Sequence, residues 1–460
     1  MMSAGPTGKR ATPAGMDSTG GIVPAGTQGA GGHAPAAPPA VRQPAPEDDR
    51  LARLRRRYRR LLSITLFLTF DLIIFGAFVR LVDAGLGCPD WPGCYGHVTP
   101  HGAAEHIAAE MAVLPDGPVT VFKAWVEMLH RYIASGLGLL VIILLVLGVR
   151  WRRQASRLAA AQGAGQGAGQ GAGQGAALGT VQGTAQGAAQ GTTQGSVQGT
   201  GRRAGASGGA PKRYADGGFA PSVALAAFTL VWIILQGLFG MWTVTLRLMP
   251  VVVTAHLMGA MILFMALMAQ HNRVQPQPDV AAAAARHARW ARALLVLLLC
   301  QLMLGGWVSS NYAALACEDF PACHGSLWPD MDLSAGFELW RPLGTRADGE
   351  PLEYQALTGI HYVHRLMAYG VFLLAAVLAW RLWRVPGLST PARWLAGVVL
   401  VQFITGLANV FLGWPLVAAL AHTAGAAGLV AITFMIDFRT RIAGILPSSP
   451  STVADRRGRS

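Results

Sequence analysis

Two stretches of this sequence share a pattern that decides the fold: EMLHRYIASG at Glu127–Gly136 and HYVHRLMAYG at His361–Gly370. Each opens a long apolar run and places a His-Arg pair in its first turns. Three residues before that His, the first stretch has Glu127 and the second has His361. Ionisable groups inside apolar spans are costly and often functional, so the pattern indicates membrane helices that carry a site near one end.

The rest of the chain is equally apolar. Its 460 residues are 52% hydrophobic and only 13% charged, which is typical of a polytopic membrane protein. Runs of about 20 apolar residues can cross a bilayer as helices, because a helix satisfies its own backbone hydrogen bonds. We therefore predict an all-α polytopic membrane protein with eight transmembrane helices, at 61–82, 127–149, 221–244, 252–271, 291–309, 358–380, 392–412 and 416–437.

Three segments lie outside these runs. Residues 1–60 read as a disordered tail with a basic flank, 150–220 as a Gly/Gln/Ala-rich linker and 438–460 as a C-terminal tail. Most of the 37 Lys and Arg residues fall in these segments and in the connections on the same side, so the positive-inside rule places both termini in the cytoplasm. The net charge of +14 is then a topology signal, and we expect membrane lipid but no nucleic acid as a partner.

The chain also repeats itself. GAFVRLVDAGLGCPDWPGCYG at Gly76–Gly96 aligns without gaps to GGWVSSNYAALACEDFPACHG at Gly305–Gly325. HRYIASG matches HRLMAYG, and QGLFG matches QFITG, the last two each followed by a His at the same distance. The order of these matches predicts two repeated four-helix bundles, one from 61–149 with 221–271 and one from 291–437.

Cysteines flank short loops in both repeats. Cys88 and Cys94 lie after the first run, and Cys317 and Cys323 after the fifth, on the side opposite the cytoplasm. That compartment is oxidising in a bacterium, which favours disulfides Cys88–Cys94 and Cys317–Cys323. A zinc site is the alternative, although the spacing is not that of a zinc finger.

Each predicted bundle contains two histidines near the same end, on its second and fourth helices. A single buried His is more often structural than a ligand, but four at equivalent positions favour a shared task. Two imidazoles on facing helices can hold a haem iron from both sides, and other metals that bind His fit the same spacing. We predict two haem sites, with axial ligands His130 and His256 in the first and His364 and His422 in the second.

Charged residues next to these histidines suggest two further roles. Arg131 and Arg365 are candidate contacts for haem propionates, or they reach to the lipid headgroups. Glu127 lies one turn from His130 and is a candidate proton acceptor beside a reacting haem. Its structural alternatives are an acid that marks the start of the span and an ion-pair partner for Arg131.

Taken together, GLGCPDWPGCYG at Gly85–Gly96, EMLHR at Glu127–Arg131, HYVHR at His361–Arg365, the second cysteine loop and the regions of His256 and His422 resemble the haem A synthase family. The resemblance covers nearly all of 61–437. It implies an enzyme, an oxidoreductase that converts a methyl group of haem O to a formyl group and so makes haem A for cytochrome oxidase. It also implies that His364 and His422 hold a haem B cofactor, that His130 and His256 hold the substrate, and that Glu127 is required for turnover.

The implied setting is a bacterial inner membrane, with the haem sites toward the outer side. Expected partners are haem O with the synthase that supplies it, cytochrome oxidase assembly factors, an unknown electron acceptor and a second copy of the chain. Two other functions share features with this one: a bis-His di-haem cytochrome that exchanges electrons with quinone, and a transporter with parallel repeats. The loop at 325–358 is expected to form a cap over the second haem.

Overall fold

The computed structural model describes residues 46–115, 117–174, 218–276, 278 and 280–443. Predictions for the tail before residue 46, for 175–217 of the linker and for 444–460 fall outside these residues. Within them the chain forms ten α-helices: α1 Pro46–Leu81, α2 Ala104–Val113, α3 Val121–Gln174, α4 Val223–Thr245, α5 Pro250–Val274, α6 Ala288–Ser310, α7 Leu333–Gly336, α8 Tyr354–Leu382, α9 Ser389–Phe411 and α10 Leu416–Ala443.

Eight of the helices in these described ranges are long and apolar enough to cross a membrane, which confirms the all-α prediction. They are α1, α3, α4, α5, α6 with the 3₁₀ turn Ala282–His287 before it, α8, α9 and α10. Several run a few residues further than predicted, and α1 and α3 run much further, since α1 begins at Pro46 and α3 continues to Gln174. Residues 46–60 of the predicted disordered tail and 150–174 of the predicted linker are therefore helical. Tyr58 and Trp151 explain part of this, because both are fully buried with their rings 5.4 Å apart where the extensions pack together.

The membrane helices form two rings of neighbours. In the N-terminal bundle α1 packs on α3, α3 on α4, α4 on α5 and α5 on α1. In the C-terminal bundle α6 packs on α8, α8 on α9, α9 on α10 and α10 on α6. The bundles meet along α1 and α5 on one side and α6 and α10 on the other, where Ile73, Met261 and Phe264 share a core with residues of the C-terminal bundle.

A polar clasp, formed by Arg80, Asp83, Ser309 and Tyr312, joins the bundles at the end that carries the cysteines. Arg80 Nη2 donates to the Ser309 carbonyl at 2.8 Å, and the Tyr312 hydroxyl donates to Asp83 Oδ1 at 2.6 Å. The Arg80 guanidinium also lies 3.8 Å from the centre of the Tyr312 ring. In the sequence alignment of the two repeats, Arg80 corresponds to Ser309 and Asp83 to Tyr312. Each position therefore contacts its own counterpart.

The loop between the second cysteine pair and α8 is ordered but does not form the expected cap. Its centre is Arg341, which is fully buried and donates to Asn311 Oδ1 at 2.6 Å and to the Thr345 carbonyl at 3.2 Å. Trp307 Nε1 donates to the Gly336 carbonyl at 2.9 Å. The segment therefore packs on the ends of α6 and α8, and none of the residues described between 326 and 353 lines the cavity that contains the histidines.

Candidate functional site

One continuous cavity runs through both bundles near the cysteine-loop end. Its volume is about 1330 Å³, larger than the roughly 300–1,000 Å³ of most small-molecule sites. All five residues predicted as ligands or catalytic group line it: Glu127, His130, His256, His364 and His422. The structure therefore brings together residues that lie up to about 300 positions apart in the sequence.

The histidines form two pairs, as the sequence predicts. His130 on α3 and His256 on α5 line the cavity in the N-terminal bundle, and His364 on α8 and His422 on α10 line it in the C-terminal bundle. The two histidines of each pair lie on different helices of the same bundle. Two imidazoles from different helices on one cavity suit a haem iron, which can take an axial ligand on each side.

A glycine packs against each of the four histidine rings, and this feature was not predicted from the sequence. A Cβ added to the glycine would lie 3.2 to 3.5 Å from the nearest ring atom in each case. The pairs are Gly76 with His130, Gly240 with His256, Gly305 with His364 and Gly406 with His422. The signal was present, because these four glycines occupy aligned positions, one on the helix before each His helix. Glycine lets the imidazole lie against the backbone and leaves the cavity in front of it clear.

Buried polar atoms on the cavity wall that have no hydrogen-bond partner also fit a bound haem. Among the described residues, His256 Nδ1, Gln301 Oε1, Gln402 Oε1 and both amide atoms of Gln236 are buried without a hydrogen-bond partner. Buried polar atoms in native proteins nearly always have a partner, so several on one cavity point to a bound group. Imidazole nitrogens and a large, mainly apolar wall match an iron porphyrin.

The two histidine pairs differ in what supports the rings. In the C-terminal pair, Gln301 Nε2 lies 3.1 Å from His364 Nδ1 and 3.2 Å from His364 Nε2, and Thr405 Oγ1 lies 3.0 Å from His422 Nδ1. In the N-terminal pair the support is aromatic, since Phe75 stacks on His130 with ring centres 6.0 Å apart. Phe239 occupies the position aligned with Thr405. Polar partners of a ring nitrogen orient a metal-binding His, and among the described residues such partners are found at the C-terminal pair.

Glu127 lies beside the N-terminal pair and connects it to the first cysteine loop. It is 4% exposed, yet it lines the cavity. Its Oε2 accepts the backbone N–H of Cys88 at 2.8 Å, and its Oε1 pairs with Arg131. A carboxylate has about four acceptor positions, so Glu127 keeps capacity for a proton or another donor. At the aligned position in the other bundle, His361 Nε2 accepts from Arg365 Nε at 3.2 Å.

Arg131 and Arg365 hold the cysteine loops. Arg131 donates to the carbonyls of Asp90 at 2.9 Å and Gly93 at 2.7 Å, and Arg365 donates to those of Asp319 and Cys317, both at 2.6 Å. The predicted contacts with haem propionates stay a prediction. Most donors of both guanidinium groups are used by loop carbonyls, which gives these residues a structural task that the sequence did not reveal.

Both predicted disulfides are present, Cys88–Cys94 and Cys317–Cys323. Sulfur in a disulfide supplies no thiolate, so neither loop offers the zinc site that the sequence left open. Each loop is closed by an aspartate that accepts two backbone N–H groups: Asp90 from Tyr95 and Gly96, and Asp319 from His324 and Gly325. The N–H groups of Gly325 and His324 hold the pKa of Asp319 below its ordinary value.

Comparison with known proteins gives consistent results over most of the chain. The family model described as cytochrome oxidase assembly protein matches residues 59–182 and 218–434. A protein of Shewanella oneidensis named "Heme A synthase" is 33% identical over 380 residues, which is 82% of this chain and 95% of that protein. A protein of the same name from Allorhizobium ampelinum is 27% identical over 401 residues, covering 84% of this chain and 91% of its own length.

Proposed function

The chain belongs to the haem A synthase family, and from this premise we propose how its two sites divide the work of that reaction. It is a multi-pass membrane oxidoreductase that converts a methyl group of haem O to a formyl group, giving haem A for cytochrome oxidase. The alternative of an electron-transfer cytochrome is not favoured, because relatives that match over 82% and 84% of the chain are both named for haem A synthesis.

We assign the substrate to the N-terminal pair and a resident haem B to the C-terminal pair. The observation that supports this division is Glu127, a carboxylate on the cavity wall beside His130, with His361 at the aligned position in the other bundle. A site that performs an oxidation needs a group to accept protons, whereas a site that stores a cofactor does not. Polar support of His364 and His422 by Gln301 and Thr405 fits a cofactor that stays bound.

The reaction sets what the protein residues must do. Converting a methyl group and one water to a formyl group releases four protons and four electrons, and we propose a membrane quinone as the final electron acceptor. When bound, a haem at His364 and His422 supplies one-electron transfer. Glu127 accepts protons at its carboxylate, Arg131 holds that carboxylate in place, and the apolar wall limits water around it.

Partners follow from the same chemistry. We propose that a haem O synthase delivers the substrate within the membrane and that assembly factors of cytochrome oxidase receive the product. The orientation predicted from Lys and Arg places both haem sites toward the outer side of a bacterial inner membrane. Binding of a second copy of the chain is part of the same proposal, and its test is the mass of the detergent-solubilised protein.

The test is expression with a source of haem O, followed by chromatography of the extracted haems. We expect haem A from the wild type, and retained haem O with less than about 1% of the haem A from Glu127→Ala. Glu110→Ala is the matched control, since it removes an exposed acid of the same bundle. Wild-type protein that makes no haem A would contradict the assigned activity. Equal haem A from Glu127→Ala would contradict only the role of Glu127.

A further inference from the structure

The two bundles differ where their second and third membrane helices face each other. Gly138 on α3 aligns with Phe372 on α8, and Gly237 on α4 aligns with Phe403 on α9. Ser135 likewise aligns with Tyr369. Small residues in one bundle thus stand where the other has large aromatic rings, at positions that line the cavity in both.

In the C-terminal bundle these rings close the space between α8 and α9. Phe372 and Phe403 meet edge to face with ring centres 5.6 Å apart, and Phe320 from the second cysteine loop lies 6.4 Å from both Phe403 and Tyr369. We call Phe320, Tyr369, Phe372 and Phe403 the aromatic cluster. The cavity wall on α9 begins at Gln402, one residue before this cluster, and includes no residue nearer the start of that helix.

In the N-terminal bundle the same region is open. A Cβ added to Gly138 or Gly237 would meet no atom within 4 Å. The cavity wall on α4 begins at Leu230, six residues before Gln236, which aligns with Gln402. Six helical residues extend roughly 9 Å, so the N-terminal cavity continues between α3 and α4 where the C-terminal one stops.

The extension, which we call the α3–α4 groove, is apolar apart from one buried amide. Leu139, Ile142 and Ile234 line it and are each about half exposed. Gln236, which packs against Gly259 of α5, is only 7% exposed, and both its Nε2 and its Oε1 lack a hydrogen-bond partner among the described residues. A buried amide without a protein partner is costly, and a polar group of a ligand in the cavity can complete it.

We propose that the α3–α4 groove holds the isoprenoid chain of haem O, with Gln236 hydrogen-bonded to the hydroxyl group where that chain joins the macrocycle. Haem O differs from haem B by this long apolar chain and its hydroxyl group. This chain is attached at the edge of the macrocycle, so it needs space beside the ring. The glycines leave such a space between the helices. The aromatic cluster blocks the equivalent path at the C-terminal site, which therefore accepts haem B and excludes haem O. This inference rests on the proposed assignment of the substrate to the N-terminal pair.

The experiment fills the groove with the residues of the other bundle. The variant Gly138→Phe/Gly237→Phe and the wild type are expressed with both haem B and haem O available, and the haems that purify with each protein are extracted and quantified. We expect haem O plus haem A per chain to fall at least tenfold in the variant, while haem B per chain stays within about 20% of the wild type. Unchanged haem B also reports that the variant is folded.

Gly136→Phe is the matched control, because Gly136 lies on the same helix, is also open to a Cβ, is exposed and does not line the cavity. It should retain both haems. A Gln236→Leu variant should lower haem O binding severalfold and leave haem B unchanged. If the double variant has the haem O content of the wild type, or if Gly136→Phe loses as much haem O as the double variant, the α3–α4 groove does not hold the isoprenoid chain. Either result leaves the proposed function unchanged. Failure of the proposed function would appear separately, as wild-type protein that contains haem B but never binds haem O.

Discussion

Both bundles place two imidazoles on the shared cavity, but they support those imidazoles differently. The C-terminal rings have polar partners in Gln301 and Thr405, and a cluster of aromatic rings closes the cavity beside them. In the N-terminal pair Phe75 stacks on His130, and glycines leave the cavity open between α3 and α4. One scaffold thus provides a closed, hydrogen-bonded site and an open, weakly oriented one, which is the difference expected between a cofactor that stays and a substrate that must leave.

The largest effect that tests this comparison is the removal of a ligand. His364→Ala deletes one predicted axial ligand of the resident haem, and we expect haem B retained after purification to fall more than about 100-fold, beyond the 10–100-fold cost typical of outer-shell partners. His130→Ala should instead keep haem B and lose haem O. Absorption spectra with haem extraction measure both. Equal loss of haem B in the two variants would show that the sites are not divided in this way.

A smaller effect is expected from the groups that orient those ligands. Gln301→Leu introduces the type of residue found at the aligned position Leu72, and Thr405→Val removes a hydroxyl group with little change of shape. Each should lower haem B affinity roughly 10-fold and shift the haem midpoint potential, because the imidazole loses the partner of its second nitrogen. Thr440→Val is the control, since Thr440 bonds to the Ile436 carbonyl of its own helix and does not line the cavity. If the Gln301→Leu and Thr405→Val variants have the same haem B affinity and midpoint potential as the control, Gln301 and Thr405 do not orient the haem ligands.

The smallest effect concerns the second cysteine loop, which Asp319 closes. Hydrogen bonds from Gly325 and His324 lower the pKa of Asp319, so its contribution to stability is present above the ordinary Asp value of about 3.9 and is lost as pH falls through the lower folded value. Asp319→Asn should flatten this part of the pH profile of thermal unfolding and change haem B content less than twofold. Glu318→Gln, at the exposed neighbouring residue, is the control and should keep the wild-type profile.

Sequence alone predicted the parts that depend on composition and spacing. Eight apolar runs required eight helices, and the loop cysteines and their compartment pointed to two disulfides. The positions of His130, His256, His364 and His422 within their runs placed them at one depth, and the structure brings them to one cavity. Each of these inferences needs only the length of a helix and the direction in which it crosses the membrane.

The features that sequence reasoning missed depend on how each helix is rotated about its axis. In a soluble helix the polar face reveals that rotation, but a membrane helix is apolar on both its lipid face and its packed face. The aligned pairs Gly138/Phe372 and Gly237/Phe403 are visible in the sequence, yet only the structure shows that all four line a cavity. The hydrogen bonds from Arg131 and Arg365 to the cysteine loops could not be predicted either. Their acceptors are backbone carbonyls, which every residue has, so the sequence does not mark them.

The polar clasp between the bundles has a consequence for which halves can pair. Arg80 meets the aligned Ser309, and Asp83 meets the aligned Tyr312, as positions do across a two-fold axis. Two identical N-terminal halves joined in this way would set Arg80 against Arg80 and Asp83 against Asp83, which is repulsive. In this chain the two sides of the axis are complementary, so the clasp favours the mixed pair and discriminates against pairing of two N-terminal halves.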